Sequence, residues 1–433
     1  MKNALVIGAA LSGTAVAKLL NKKNYNVYLT DTREIINKKE LEDIGIHVYD
    51  LGHPELLKKY EYDLVVKNPG IKYDNPFVNY FVSKGYSIFN EIEIASRYVN
   101  YKYAAITGTN GKTTTVTLLG LILKNKYGDK AFVSGNIGYP LSDIVLKHEN
   151  EECYIALEIS AFQLLGCNSF KPNVASILNL TKDHLDYFND EKDYYDAKAL
   201  IINNMDNNCY FLLNIDDEEI VKRIDDSNTN IIKYSINSNY DLYIKDNDVY
   251  YKDIYLFSKS DLKIVGNHNL TNAMVAALSA FLLGVEPKII KETIANFKGI
   301  EHRIEFVKEI NGIKFYNDSK ATNTDSGIVA LKAFDKPVIL LAGGHDKHTG
   351  FNELKPYLNR IKKMYVFGET KNQLKELYKD AILTENMEEA INKAFSNSDS
   401  GDIILLSPLC SSYDQFKNFE ERGEIFKKIV NKL

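Results

Sequence analysis

The sequence predicts an α/β protein made of three doubly wound segments, and three observations carry that expectation. Short apolar runs recur along the chain, separated by stretches with helical spacing of their apolar residues. Several runs end directly in loops rich in Gly, Asn, Asp, Ser or Thr, as the ligand loops of parallel sheets do. At 433 residues the chain is also too long for a single hydrophobic core. The net charge of −5, with no basic patch, argues against a nucleic-acid partner. The longest apolar stretch, Ala273 to Leu283, contains Ser279 and is too short to span a bilayer, so no membrane insertion is expected. The opening MKNALVIGAALSG breaks at Gly8 into a glycine turn and a helix, which fits a first strand better than a signal peptide. Cys153, Cys167, Cys209 and Cys410 have no CxxC spacing, which points to a reduced, cytoplasmic protein without a zinc site or disulfide framework.

The first segment, residues 1–93, opens with a buried strand over Ala4–Ile7, a helix over Gly13–Leu20 and a second strand over Asn26–Leu29 that ends at Asp31. Gly8-Ala9-Ala10-Leu11-Ser12-Gly13 is a GxGxxG with alanine at the middle glycine, and Asp31 follows at close to the spacing of a dinucleotide fold. Taken alone, this fits an NAD-dependent dehydrogenase. A further strand, Asp63–Val66, leads into the turn Asn68-Pro69-Gly70, placed to face a ligand at the sheet edge.

The second segment, residues 94–298, carries the most informative stretch, AAITGTNGKTT at Ala104–Thr114. An apolar strand ends at Thr107, the loop Gly108-Thr109-Asn110-Gly111 follows, and a helix-compatible run continues over Val116–Leu123. Strand, glycine loop, Lys-Thr and helix together cradle phosphates: backbone N–H groups point inward, Lys112 adds a charge, and a hydroxyl of Thr113 or Thr114 can hold Mg²⁺. Glu158 ends the strand Tyr154–Leu157, where nucleotide-binding folds place a metal-holding carboxylate. Strands are also expected at Val174–Leu178 and Tyr210–Leu213. After the first of these comes TKDHLD at Thr181–Asp186, in which His184 stands between two carboxylates. Asp183 and Asp186 also read as helix-start residues. By composition Lys198, in Asp196-Ala197-Lys198-Ala199, is only a good helix former. Ser227–Asp261 reads as a small antiparallel β region, and Gly266–Leu283 as a helix with Asn269 and Asn272 one turn apart.

The third segment, residues 299–433, alternates strands at Lys314–Tyr316, Val338–Leu341, Met364–Phe367 and Ile403–Leu406 with helices at Thr324–Ala333, Met387–Phe395 and Glu420–Val430. Its strand exits carry Asn317-Asp318-Ser319-Lys320-Ala321-Thr322-Asn323, Gly343-Gly344-His345-Asp346-Lys347 and Ser407-Pro408-Leu409-Cys410-Ser411-Ser412. Loops at one sheet edge can converge on one ligand. Glu301-His302-Arg303 falls where the second and third segments join, and the forked guanidinium of Arg303 suits a phosphate. The three segments are expected to surround a shared cleft.

With these residues in place the chain resembles the Mur ligases, the ATP-dependent family that builds the peptide stem of peptidoglycan. The resemblance covers all three segments and rests on GTNGKTT (108–114), GNIG (135–138), LEIS (157–160), LTKDHLD (180–186), DAK (196–198), GNHNLTNA (266–273) and EHRIE (301–305). NDSKATN (317–323) and SPLCSSYDQFKNFEERG (407–423) resemble the branch that adds D-glutamate to UDP-N-acetylmuramoyl-L-alanine. No DNPR-type motif of a diaminopimelate-adding enzyme is present. A dehydrogenase or a non-catalytic nucleotide switch leaves these runs unexplained.

The resemblance implies a Rossmann-like UDP-binding domain, a central P-loop ATPase domain whose mainly parallel sheet carries the antiparallel region, and a Rossmann-like C-terminal domain for the amino acid. It implies an acid–D-amino-acid ligase acting through an acyl phosphate, monomeric, with ATP and two Mg²⁺ ions. Lys112, Glu158, His184 and Lys198 form the implied catalytic set. Thr113 or Thr114, Glu158, His184 and a carbamylated Lys198 are the implied metal ligands. ATP is assigned to Gly108, Thr109, Asn110, Gly111, Lys112, Thr113, Thr114, Asn269, Asn272, Arg303, Asp318 and Lys320. The UDP-linked substrate falls to Leu11, Ser12, Thr14, Asp31, Thr32, Arg33, Asn68, Gly70 and Asn136. D-glutamate falls to Thr322, Lys347, Ser412 and Phe419. The family often has glycine where Ala10 stands and serine where Asn68 stands.

Overall fold

The computed structural model describes residues 2–184, 187–224, 228–346 and 350–433. Asp186 and Lys347, singled out in the sequence, lie outside the described residues. The chain divides into two compact units, Met1–Lys259 with Thr271–Ile294, and Ser260–Leu270 with Ala295–Leu433. Among the described residues the strands form three sheets.

The first unit holds two of them. β1 (Lys2–Ile7), β2 (Tyr25–Thr30), β3 (His47–Tyr49), β4 (Leu64–Lys67) and β5 (Ile88–Phe89) form a five-stranded sheet in the order β3-β2-β1-β4-β5. Every pairing in it is parallel. Alternate residues of β1 enter two different cores: Ala4 and Val6 pack with Val16 and Leu20 of the helix Leu11–Lys22, and Leu5 and Ile7 with Phe77 and Phe81. Coverage on both faces explains why these strands read as continuous apolar runs.

The nine-stranded sheet is built from β6 (Lys102–Thr107), β7 (Ala131–Gly135), β8 (Tyr154–Glu158), β9 (Val174–Ile177), β10 (Tyr210–Asn214), β11 (Asn230–Tyr234), β12 (Leu242–Lys245), β13 (Asp248–Tyr251) and β14 (Ile254–Ser258). β6 lies between β8 and β9, parallel to both, so its exit is flanked by Glu158 and by the segment after Ile177. The region expected to be a small antiparallel unit is antiparallel only across β12, β13 and β14. β11 pairs in parallel with β10, and β12 joins it at Tyr234↔Leu242, so these strands extend the main sheet. Alternating polarity marks one wet face of a strand but says nothing about which edge its backbone pairs with.

The second unit holds a six-stranded sheet of β15 (Glu305–Ile310), β16 (Ile313–Asn317), β17 (Val338–Gly343), β18 (Ile361–Phe367), β19 (Ile382–Leu383) and β20 (Ile403–Leu406), in the order β15-β16-β20-β17-β18-β19. It is parallel except for β15, which returns antiparallel on β16. The sequence reading has no strand over β15. Its signal is the Asn311-Gly312 dipeptide, whose φ values of 53° and 79° give the hairpin turn that suits strand twist. β16, β17 and β20 are adjacent and parallel, so the loops after Asn317, Gly343 and Leu406 leave at one edge.

Candidate functional site

The phosphate loop joins β6 to the helix Lys112–Tyr127, with left-handed Gly111 directly before the helix. A Cβ at Gly111 would lie 2.4 Å from Asn272 Oδ1, so glycine is required there and Asn272 is brought against the loop. Asn179, which the sequence reading gave no role, holds the loop's shape. Its carbonyl accepts from Thr109 N at 2.9 Å, its Oδ1 accepts from Asn110 N at 2.8 Å, and its Nδ2 donates to Asn110 O at 3.0 Å. The Thr109 hydroxyl donates to Thr181 O and accepts from Thr181 N, each at 3.0 Å. The signal available in the sequence was position: Asn179 stands just beyond the apolar run beside β6. Lys112 Nζ donates to Gly108 O at 2.7 Å and to Thr109 O at 2.8 Å, so the ammonium lies over the loop at the helix N-terminus, a natural seat for an anion.

Glu158 is 1% exposed and pairs in register with Ile106 of β6. Its Oε1 accepts from Asn136 Nδ2 at 2.8 Å, whereas Oε2 is buried without a hydrogen-bond partner among the described residues. An uncompensated buried carboxylate oxygen is costly, and a hard divalent cation is a partner that such an oxygen fits; Thr113 and Thr114 lie in the first turn of the helix Lys112–Tyr127. Lys198, also 1% exposed, donates from Nζ to Gly108 O at 2.9 Å and lies 4.4 Å from the Tyr194 ring centroid. Burial lowers its pKa well below the usual lysine range, and the Lys112 ammonium lowers it further, against the pull of Asp183 and Glu158. His184 takes a positive φ of 53° and packs edge-on against Phe162 and against the same Tyr194 ring. Tyr194 therefore ties His184 to Lys198. Asp190, rather than Asp183, caps the helix Glu191–Ala199 that carries Lys198.

In the first sheet Gly8 and Gly13 are in such close approach that a Cβ at Gly13 would lie 1.8 Å from Gly8 O. Asp31 accepts from Ala9 N at 2.7 Å and Arg33 N at 2.9 Å. Burial pushes its carboxyl up, but those amides and Arg33 outweigh it and hold it below the usual range. Asn68 Nδ2 reaches Ser12 Oγ at 3.4 Å and its Oδ1 accepts from Gly70 N at 3.2 Å, so Ser12, Asn68 and Gly70 share one place beside the glycine turn. Leu11, Thr32 and Arg33 are exposed nearby in the chain, and the Thr14 hydroxyl turns back to Ala9 O.

In the second unit Asp318 is buried, accepting from Ser407 Oγ at 2.8 Å and Ile304 N at 3.2 Å. Burial pushes its carboxyl up to about 7, against the Ser407 hydroxyl and the Arg303 guanidinium. Asn269 donates to Val265 O at 2.7 Å. Lys320 Nζ lies 5.9 Å from the Phe419 ring centroid, and Thr322 N donates to Lys320 O at 2.8 Å. Arg422 is a second residue that the sequence reading left without a role. Fully buried, it donates to Ser319 Oγ and O at 2.9 and 2.8 Å, to Cys410 O at 3.1 Å and to Ser411 O at 3.2 Å. It thereby fastens the loop after β16 to the loop after β20, where Ser412 is buried. His345 N donates to Ser411 O at 2.9 Å, which brings the loop after β17 to the same place.

Residues 106–280 match the model of the Mur ligase middle domain, and residues 302–410 that of the Mur ligase, glutamate ligase domain. The chain is 38% identical to the UDP-N-acetylmuramoylalanine--D-glutamate ligase of Thermoanaerobacter sp. (strain X514), covering 100% of this chain and 98% of the relative. The protein of that name in Bacillus subtilis (strain 168) is 37% identical over 99% of this chain and 97% of its own length. Among solved structures, MurF ligase from Thermotoga maritima in complex with ADP matches with a TM-score of 0.60 at 18% identity, covering 94% of this chain and 95% of that one. MurC from Thermotoga maritima matches with a TM-score of 0.56 at 19% identity, covering 100% and 99%. These two likenesses speak to the fold.

Proposed function

The chain belongs to the Mur ligase family, and from that premise we propose that it adds D-glutamate to UDP-N-acetylmuramoyl-L-alanine with hydrolysis of ATP to ADP and phosphate. The full-length similarity to D-glutamate ligases carries the choice of substrates. Use of ATP is supported by the phosphate loop, which leaves β6 beside the buried, half-partnered Glu158. In this reading residues 1–93 hold the UDP-linked substrate, 94–298 hold ATP, and 299–433 hold the amino acid. The reaction is cytoplasmic and the enzyme a monomer. No helix among the described residues is long and apolar enough to cross a membrane.

The terminal carboxylate of the alanyl substrate attacks the γ-phosphorus and ADP leaves. The D-glutamate amine then attacks the acyl carbon, loses a proton, and phosphate departs with one of the original carboxylate oxygens. Bringing a carboxylate against a polyanion requires fixed positive charge. The loop amides of 108–111 and Lys112 supply it at the β- and γ-phosphates, once Lys112 exchanges its loop carbonyls for phosphate oxygens. Asn269, Asn272, Arg303, Asp318 and Lys320 are the remaining ATP contacts. Glu158, a hydroxyl of Thr113 or Thr114, His184 and Lys198 as a carbamate hold two Mg²⁺ ions, whose charge offsets the repulsion between the reacting anions. Asn136 orients Glu158 and faces the muramyl substrate. Leu11, Ser12, Thr14, Asp31, Thr32, Arg33, Asn68 and Gly70 hold its UDP end. Thr322, Lys347, Ser412 and Phe419 take D-glutamate.

The carbamate is supported by the state of Lys198. Only a neutral amine has the lone pair to attack CO₂, releasing a proton, and burial beside Lys112 favours that neutral form. ADP release measured with each substrate alone and together tests the function. Sustained release, beyond one ADP per enzyme, that needs both UDP-N-acetylmuramoyl-L-alanine and D-glutamate, and not L-glutamate, is expected. Release indifferent to the amino acid overturns the reading.

A further inference from the structure

Lys67, the last residue of β4, is 3% exposed and stands immediately before the Asn68–Ile71 loop. Its Nζ donates to Ile71 O at 2.8 Å and reaches Pro69 O at 3.5 Å, and it lies 4.3 Å from the Tyr73 ring centroid. Burial lowers its pKa only to about 8, so a cation without a carboxylate partner among the described residues sits under this loop at neutral pH.

Strand alternation places Lys67 and Asn68 on opposite faces. Lys67 shares the face of Val65, whose core includes Phe77 and Ile71, while Asn68 turns to the glycine turn and Ser12. A loop that meets a polyanion must turn its carbonyl oxygens away from it. The Lys67 ammonium does this by drawing Pro69 O and Ile71 O to the rear. Ile71 O also accepts from Tyr187 Oη at 3.4 Å, and Tyr73 Oη donates to Leu165 O at 3.1 Å, which anchors the far side of the loop.

We propose that Lys67 is a positioning residue for the diphosphate of the UDP-linked substrate, acting through the 68–71 loop and by its own uncompensated charge. This rests on the assignment of the first domain to that substrate. Binding of UDP and of uridine, together with KM values for all three substrates, tests it in the full-length parent, Lys67→Met, Lys67→Gln and Lys67→Arg. Both neutral variants should weaken UDP binding and raise the KM for UDP-N-acetylmuramoyl-L-alanine about tenfold, as loss of a charge-assisted interaction does. Uridine binding, kcat and the KM for ATP should hold within about twofold, and Arg should restore most of the UDP affinity. Gln keeps a donor for the loop carbonyls, so it reads the charge even if Met fails to fold. Equal loss of UDP and uridine, or rescue by Gln, would reduce Lys67 to a structural role and overturn the proposal. A parent that binds neither UDP nor uridine refutes the domain assignment itself.

Discussion

Lys198 shows how much a residue's chemistry depends on surroundings that composition does not display. In sequence it is one lysine of an acidic helix; in the fold it is a buried amine beside a second lysine, with a backbone carbonyl as its acceptor. Lys198→Ala should lower turnover about a hundredfold or more, with short carboxylic acids partly restoring it and bicarbonate not. Mass analysis of fully active parent enzyme showing only unmodified lysine excludes the carbamate. Asp318 carries a second prediction, in stability. Its folded pKa of about 7 lies above the ordinary carboxyl value, so its contribution is complete below that ordinary value and is lost as pH rises to about 7. Thermal melts should show the parent losing stability over that range more steeply than Asp318→Asn. Parallel curves would contradict the burial argument. Asn179, Arg422 and Lys67 were illegible for one reason. Their partners are mainly backbone groups, and no residue pattern reveals which carbonyl a side chain will meet.

At the scale of elements, the site is assembled where strands end. The exit of β6, the end of β8 and the segment after β9 converge because those strands are neighbours in register, an order the sequence could suggest only through its loop residues. The glycine loop itself was legible, since Gly111 must take a left-handed conformation against Asn272. Gly111→Ala should remove ATP-dependent turnover while UDP binding persists, because the displaced Asn272 and loop disturb only the phosphate seat. Normal ATP kinetics in that variant would refute the loop's role. In the second unit Arg422 fastens two strand-exit loops. Arg422→Met leaves Ser319 O and Cys410 O without their donor, while Ser411 O keeps His345 N, and should cost about 2–6 kcal/mol of stability. It should also raise the KM for D-glutamate more than that for ATP. Equal effects on both would assign Arg422 to general stability alone. β15 was legible through its Asn311-Gly312 turn, whereas the parallel pairing of β10 with β11 was not, because pairing partners, unlike buried faces, leave little trace in one sequence.

At the scale of the whole molecule, the three parallel-rich sheets accord with the family's multi-domain fold, and the catalytic account turns on the order of two chemical steps. If the substrate carboxylate is phosphorylated before D-glutamate attacks, an oxygen must pass from that carboxylate to phosphate. The direct measurement is mass analysis of the phosphate released when UDP-N-acetylmuramoyl-L-alanine labelled with heavy oxygen in its terminal carboxylate is turned over with ATP and D-glutamate. The account predicts one heavy oxygen in each phosphate formed and, with Lys112→Ala, turnover lower by about two orders of magnitude. Unlabelled phosphate accompanying stoichiometric product would contradict the acyl-phosphate mechanism.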